Sequence, residues 1–371
     1  MTVVFTNPEG RNLTPAQAMD LDDNYFGSRP LGYFSSRIAS LISSAGTLQA
    51  DTTEGMGGQV AAALGLSGVP GILIFTESDR ELQIATDSFA VRHHAAESLV
   101  RLYHALTVVA PKMGVERCVW AAIAEGPNRT TVLVDEAKAQ LLSTTGLETF
   151  WKTVLPNGAE TASAEQMEMM NKALGVMAAW LQHAMYLLVR DDIDINAAHN
   201  KVKHGLAVRS RDDNLLTFTT DPPNSDGTFS LSALTGKNAV DIFSSPTLDY
   251  LARPKSKGRK QGLEVTTLAL APSVLLAESW MMSVTYGAMF QVAASRHFQG
   301  RDVPFMAYPS LPLAPTPEQL LGESVVGMRH PVTSPPDGGA LDRTAGIAFQ
   351  STFMPLDIDF PGSTSRVVVD E

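Results

Sequence analysis

The apolar positions of this chain change period twice. Between about Asp87 and Pro111, Val91, Ala95, Leu99, Leu102, Leu106 and Val109 recur at helical spacing, and Pro111 marks the stop. From Ala164 to Val189, Met167, Met170, Leu174, Met177, Leu181, Met185 and Leu188 follow one side of a second helix. Trp180, Ala184 and Leu187 widen that face until it suits the centre of a helical bundle. The methionines read as adaptable core rather than as a cofactor site. From Leu206 the period shortens: "LAVRS", "LLTFTT", "TFSLSAL" and "LEVTTLAL" predict strands, separated by "DPPNSDG" and the basic "RPKSKGRKQG". Pro272 to His297 then returns to a helical pattern with Trp280, Met281, Tyr286 and Phe290.

These periods predict a mainly α chain: a helical bundle with a small β insertion and an irregular, proline-rich C-terminal segment. Residues 1–85 form an irregular and helical N-terminal region with a helical patch "YFSSRIASLISS" and a strand-like "GILIFT". Residues 86–300 form the bundle core, with the insertion at about 206–270, and residues 301–371 form the extension, of which 301–340 are expected to wrap the surface or stay mobile. "GMGGQVAAALG" is glycine-rich, but Val60 stands where a dinucleotide fingerprint needs its third glycine, and no Lys-Ser/Thr pair follows. It reads as a turn before a small helix.

Composition narrows the function classes. An apolar fraction of 44% with 18% charged residues describes a globular chain. A net charge of -11 argues against a protein that coats nucleic acid with its whole surface, though it allows a local basic site. Cys118 is the only cysteine, which excludes a disulfide framework and a cysteine-based zinc site. The N-terminus has neither a basic segment nor an apolar core of a secretory signal. The most membrane-like run, Leu263 to Ala294, is interrupted by Pro272, Glu278 and Gln291, so a buried helix is expected there rather than a span. A cytoplasmic protein without membrane contact follows as the expectation.

Candidate chemistry concentrates in "INAAHNKVKHGLAV", Ile195 to Val208. Asp192 or Asp194 can cap a short helix there, and Gly205 can end it. Helical spacing places Asn196, His199, Asn200, Lys203 and His204 on one side, with Ile195, Ala198 and Val202 on the other. A second polar stripe, His93, Glu97, Arg101 and His104, lies opposite the apolar face of the helix over 87–110. It reads either as a solvated face with a Glu97–Arg101 pair or as the facing wall of one site.

The "AHNKVKHG" segment resembles the motif of the HEPN superfamily, helical domains that include toxin and phage-defence ribonucleases. That motif is an arginine, a polar residue, a few variable residues and a histidine. Asn200 and His204 match the polar residue and the histidine, and His199 stands in the arginine's place. The resemblance implies a metal-independent endoribonuclease without cofactor, acting on RNA as a homodimer whose two motif helices form a composite site. In it His204 is the acid or base, and Asn200 orients the backbone or the imidazole. Lys203 or Lys201 meets phosphate charge. His199 and Glu97 complete the catalytic candidates, and Arg101 and His93 the substrate contacts.

Two other classes stay open on the residues alone. In a non-catalytic helical interaction module, the His and Lys patch fixes the fold. In a metal-dependent hydrolase, His93, Glu97 and His104, joined by His199 or His204, hold zinc or manganese, although no HExxH arrangement is present. A serine hydrolase elbow, GxSxG, does not occur. "RPKSKGRK", Arg253 to Lys260, is either a phosphate contact or an exposed charged loop.

Overall fold

The computed structural model describes residues 12–45, 59–60, 62–64, 76–112, 117–205, 207–212, 216–219, 221–225, 230–243 and 246–356. "GILIF" and most of "GMGGQVAAALG" fall outside them. The described residues form two compact units, the first drawn from 1–40, 88–199 and 273–322, the second from 41–87, 200–272 and 323–371.

The first unit is helical. It holds α1 (Pro15–Phe26), the start of α2 (Pro30–Ser44), and α3 (Glu77–His104) from residue 88 onward. It continues with α4 (Val119–Ala124), α5 (Thr130–Leu141), α6 (Gly146–Val154), α7 (Ala164–Val189), the start of α8 (Ile195–Lys203), α10 (Pro272–His297) from residue 273, and α11 (Pro317–Leu321). The long helices predicted over 164–189 and 272–297 are present with those bounds. Three starts are fixed by reciprocal capping boxes, Thr14 with Gln17, Ser163 with Gln166 and Thr316 with Gln319, which satisfy amide groups that a helix's first turn leaves unpaired. After His104, α3 passes into a π-helical turn over Ala105–Val109 and a 3-10 turn over Ala110–Lys112, so the helix loosens before Pro111 rather than stopping sharply. Trp180, Tyr103, Phe26, Phe89, Phe150 and Phe290 are its largest fully buried side chains. Residues 301–316 carry no regular structure but are anchored: the Trp180 indole donates to Pro315 O at 2.9 Å and the Tyr308 hydroxyl to Val154 O at 2.5 Å.

The second unit carries a six-stranded antiparallel sheet in the order β1-β4-β7-β8-β9-β10. Its strands are β1 (Val208–Arg211), β4 (Thr247–Ala252), β7 (Glu264–Ala269), β8 (Val325–Pro331), β9 (Ala345–Phe349) and β10 (Phe353–Leu356), while β2 (Leu216–Thr219) pairs with β3 (Ala239–Phe243), and β5 (Lys255–Ser256) with β6 (Arg259–Lys260). The fold is therefore a helix-rich mixture rather than mainly α. Half of the large sheet comes from residues 325–356, a stretch expected to be irregular. The "TFSLSAL" expectation is also corrected: Leu231–Thr235 is a short helix, α9, because the Ser230 side chain accepts from Ala233 N and closes a helical turn where a strand was expected. Among the described residues no helix is long and apolar enough to cross a membrane.

Candidate functional site

The short polar helix forms as its ends dictate. Of the two candidate caps, Asp194 acts: its Oδ1 accepts from Ala197 N at 2.7 Å. Asp192 is instead gripped by Arg190, through Nε at 2.5 Å and Nη2 at 2.7 Å. Gly205 follows the helix with φ +110°, a left-handed position that a Cβ would strain. Ile195 and Ala198 are buried, while Asn200, Lys203 and His204 are exposed and Lys201 is half-buried. Arg190 is buried and held by Asp192, so it cannot stand in for the arginine that His199 replaces.

Within the first unit, α3 meets the start of α8 through histidines. The rings of His93 and His199 stack with centroids 4.0 Å apart and planes at 24°. His93 Nε2 lies 3.1 Å from Asn196 Oδ1, and since the amide oxygen accepts, Nε2 carries the proton. Nδ1 is buried with no hydrogen-bond partner. Burial foremost, then the neighbouring His199 and Arg92, holds His93 well below the usual imidazole range. It is a neutral structural ring at pH 7.

The remaining members of the α3 stripe are drawn elsewhere. Glu97 and Arg101 form an i,i+4 pair at 2.8 Å, both partly exposed. His104 is 2% exposed and its Nε2 lies 2.7 Å from Glu136 Oε2 on α5. The solvated-stripe expectation is thus corrected at both ends: periodicity identified the shared face, but α8 covers His93 and α5 covers His104. The hydrolase ligand set does not assemble either, because His93 and His104 turn to different partners. Among the described residues no group of three or more His, Cys, Asp and Glu side chains is placed to hold a metal ion.

The basic segment Arg253–Lys260 is a hairpin rather than a free loop. Lys257 (φ +50°) and Gly258 (φ +78°) make its turn between β5 and β6. Arg259 pairs with Asp337 at 3.1 Å and donates to Ala340 O at 2.6 Å, so its charge is already met.

The sequence reading missed the most buried charge network. Glu278 of α10, 2% exposed, lies 3.3 Å from Arg92 Nη1 of α3 and 2.7 Å from His183 Nε2 of α7. Burial alone would raise the Glu278 carboxyl, but the Arg92 charge and the His183 contact outweigh it and hold it below its ordinary value. His183 also lines an apolar groove of about 570 Å³ with Val134 and Met185. A signal was present: Glu278 and His183 each interrupt a long apolar helix, and a buried ionisable group needs a partner.

No family model matches the chain, and no curated protein or solved structure matches it.

The buried His93 makes acid sensitivity testable. A base whose folded pKa is depressed adds stability that is complete above its unfolded value of 6.5. Below that value the unfolded chain takes up the proton first, and stability falls towards the folded pKa by at most about 1.4 kcal/mol per pH unit. His330, in the second unit, is held low by burial too. The His93→Gln variant separates the two, and Trp120, Trp151, Trp180 and Trp280, all in the first unit, report unfolding around His93. Urea unfolding followed by tryptophan fluorescence should lose stability between pH 7.5 and 5.5, and His93→Gln should flatten that loss. Equal slopes in parent and variant would remove His93 as its source.

Proposed function

We propose that the chain is a HEPN-like, cytoplasmic interaction module of helical-bundle type that binds RNA through the exposed edge of α8 without cutting it. The carrying observation is the stacked His93–His199 pair. The position of the family's arginine holds a ring packed on a neutral, buried histidine, so the bidentate cation that the ribonuclease chemistry uses is missing beside Asn200 and His204. Contact with phosphate then falls to Lys203, a point charge on a flexible stem, with Lys201 as a weaker contributor.

A second reading, a metal-independent endoribonuclease of toxin or phage-defence type acting as a homodimer, is favoured by one observation: Asn200, Lys203 and His204 are all exposed. In that reading His204 exchanges the proton; His93 is buried and Glu97 and Arg101 pair with each other. RNA binding across a salt series and RNA cleavage, measured for the parent, His204→Ala, Lys203→Ala and His199→Arg, separate the two. The module reading expects binding at low salt, no cleavage with or without EDTA, and a salt slope reduced by about one phosphate contact in Lys203→Ala. Parental cleavage lost in His204→Ala, with an unchanged melting midpoint and a dimeric mass in light scattering, would establish the nuclease instead. Absence of binding at low salt would remove RNA as the partner.

A further inference from the structure

We propose that the cavity lined by Phe26 of α1, Val119 of α4 and the C-terminal end of α10 binds a small organic oxyanion, a carboxylate or a phosphate monoester, between Arg117 and Arg296. The cavity encloses about 320 Å³ and lies within the first unit. That is the small end of the range of about 300–1,000 Å³ in which ligand pockets fall, enough for an anionic head with a compact body. Phe26, Leu106 and Val292 supply an apolar wall for the body, and Arg117 and Arg296 supply the charge.

The electrostatics point the same way. Among the described residues Asp22 is the one carboxylate that lines the cavity. Its Oδ1 accepts from Trp120 N at 3.0 Å and the Cys118 thiol at 3.3 Å, and its Oδ2 from Val119 N at 2.9 Å, so it is committed to the first turn of α4. The adjacent Asp23 is likewise occupied, forked by Arg301 at 2.8 and 2.9 Å and met by His297 at 2.6 Å. Arg296 spends one donor on Lys152 O at 2.5 Å, and neither it nor Arg117 forms an ion pair among the described residues. Burial, and then the Arg117 charge, lowers Arg296 from the ordinary guanidinium range. Two guanidinium groups converging on one concave surface repel each other, and on a chain of net charge -11 nothing general in its composition explains the concentration. An oxyanion removes the repulsion and offers each planar fork the geometry it matches.

The site shares no residue with α8, so its test is independent of RNA. The full chain is melted in rising phenyl phosphate, benzoate or inorganic phosphate, with sodium chloride at matched ionic strength as the screening control, and affinities are taken by calorimetry. At least one organic anion should raise the midpoint saturably beyond chloride, and phenyl phosphate should bind more tightly than inorganic phosphate because only it covers the apolar wall. The preference between phenyl phosphate and benzoate assigns the head group. Arg117→Gln should weaken that anion by at least about tenfold, the loss of one charge-assisted contact. Arg117 is exposed, and without ligand its replacement should leave the melting midpoint equal or higher, because it relieves a repulsion. The proposal is overturned if the anions act no differently from chloride, if Arg117→Gln keeps parental affinity, or if that variant melts well below the parent in the absence of anion.

Discussion

Glu278→Ala is expected to cost the first unit about 3–5 kcal/mol, the range for breaking a buried ion pair from one side. The cost lies less in the lost attraction than in what is left behind. Arg92 is 8% exposed at its side chain, and a guanidinium does not shed its proton near neutrality. Its Nε is already buried without a partner, so the network holds no spare acceptor for the freed charge. The Phe89 ring, 5.2 Å from the guanidinium carbon, attracts the cation but accepts little of its charge. Glu278→Gln keeps the volume and should cost nearly as much, since an amide does not neutralise Arg92. The double variant Glu278→Gln, Arg92→Met should recover most of the loss, because removing both charges removes the desolvation problem. Urea unfolding is followed by the fluorescence of the four tryptophans, all of which belong to this unit. A loss under about 1 kcal/mol in Glu278→Ala would mean that solvent reaches Arg92 and that the network contributes little. The linkage runs in a defined direction: Glu278 is held below its ordinary 4.5, so its stabilisation is complete above that value and is lost as pH falls through the lower folded pKa.

The residues of this network show where sequence reading stops. The helices over 164–189 and 272–297 were legible because a wide apolar face repeats over many turns, and periodicity needs nothing beyond the segment itself. His183 and Glu278 are 95 residues apart, and no local pattern says that the two lone polar groups meet. The α3 stripe failed for a related reason. A period of 3.6 tells which residues share a face but not what lies against it, so the stripe reads equally as a solvated face or as one wall of a site, whereas His93 and His104 are covered by two different helices. The strands at 325–356 were hidden by neighbouring prolines, of which Pro331 and Pro355 fall inside β8 and β10. The α8 motif was the reverse case. Its cap, narrowed to Asp192 or Asp194, its end at Gly205 and its polar side were readable from a dozen residues. The stacking that turns His199 into part of the His93 pair depends on α3, about a hundred residues earlier in the sequence.

Asp22→Ala should be the second large loss, about 2–4 kcal/mol, although Asp22 sits in the run "DLDDN", where acids look interchangeable. Position separates them. Asp22 is 3% exposed and caps α4 from a different helix, taking both of that helix's first amide protons. The local cap is the Cys118 sulfur, which accepts from Ala121 N at 3.4 Å and is a weak acceptor, so a helix of six residues depends on a distant carboxylate to begin. Removing it strands the buried Val119 donor and frees the part-buried one of Trp120, each costing about 1–3 kcal/mol if unmet. Asp23→Ala, one residue on, should cost under about 1 kcal/mol, because its pairs with Arg301 and His297 are 37% exposed on the carboxylate side and water can replace them. A second readout is independent of global unfolding. Burial foremost pushes the Cys118 thiol up to about 11, which keeps it protonated and unreactive. If Asp22→Ala frays α4, iodoacetamide should label Cys118 much faster than in the parent under native conditions, while Asp23→Ala should label at the parental rate. Equal labelling in all three proteins, with equal losses in both variants, would show that acidic charge on α1 matters and that capping of α4 does not.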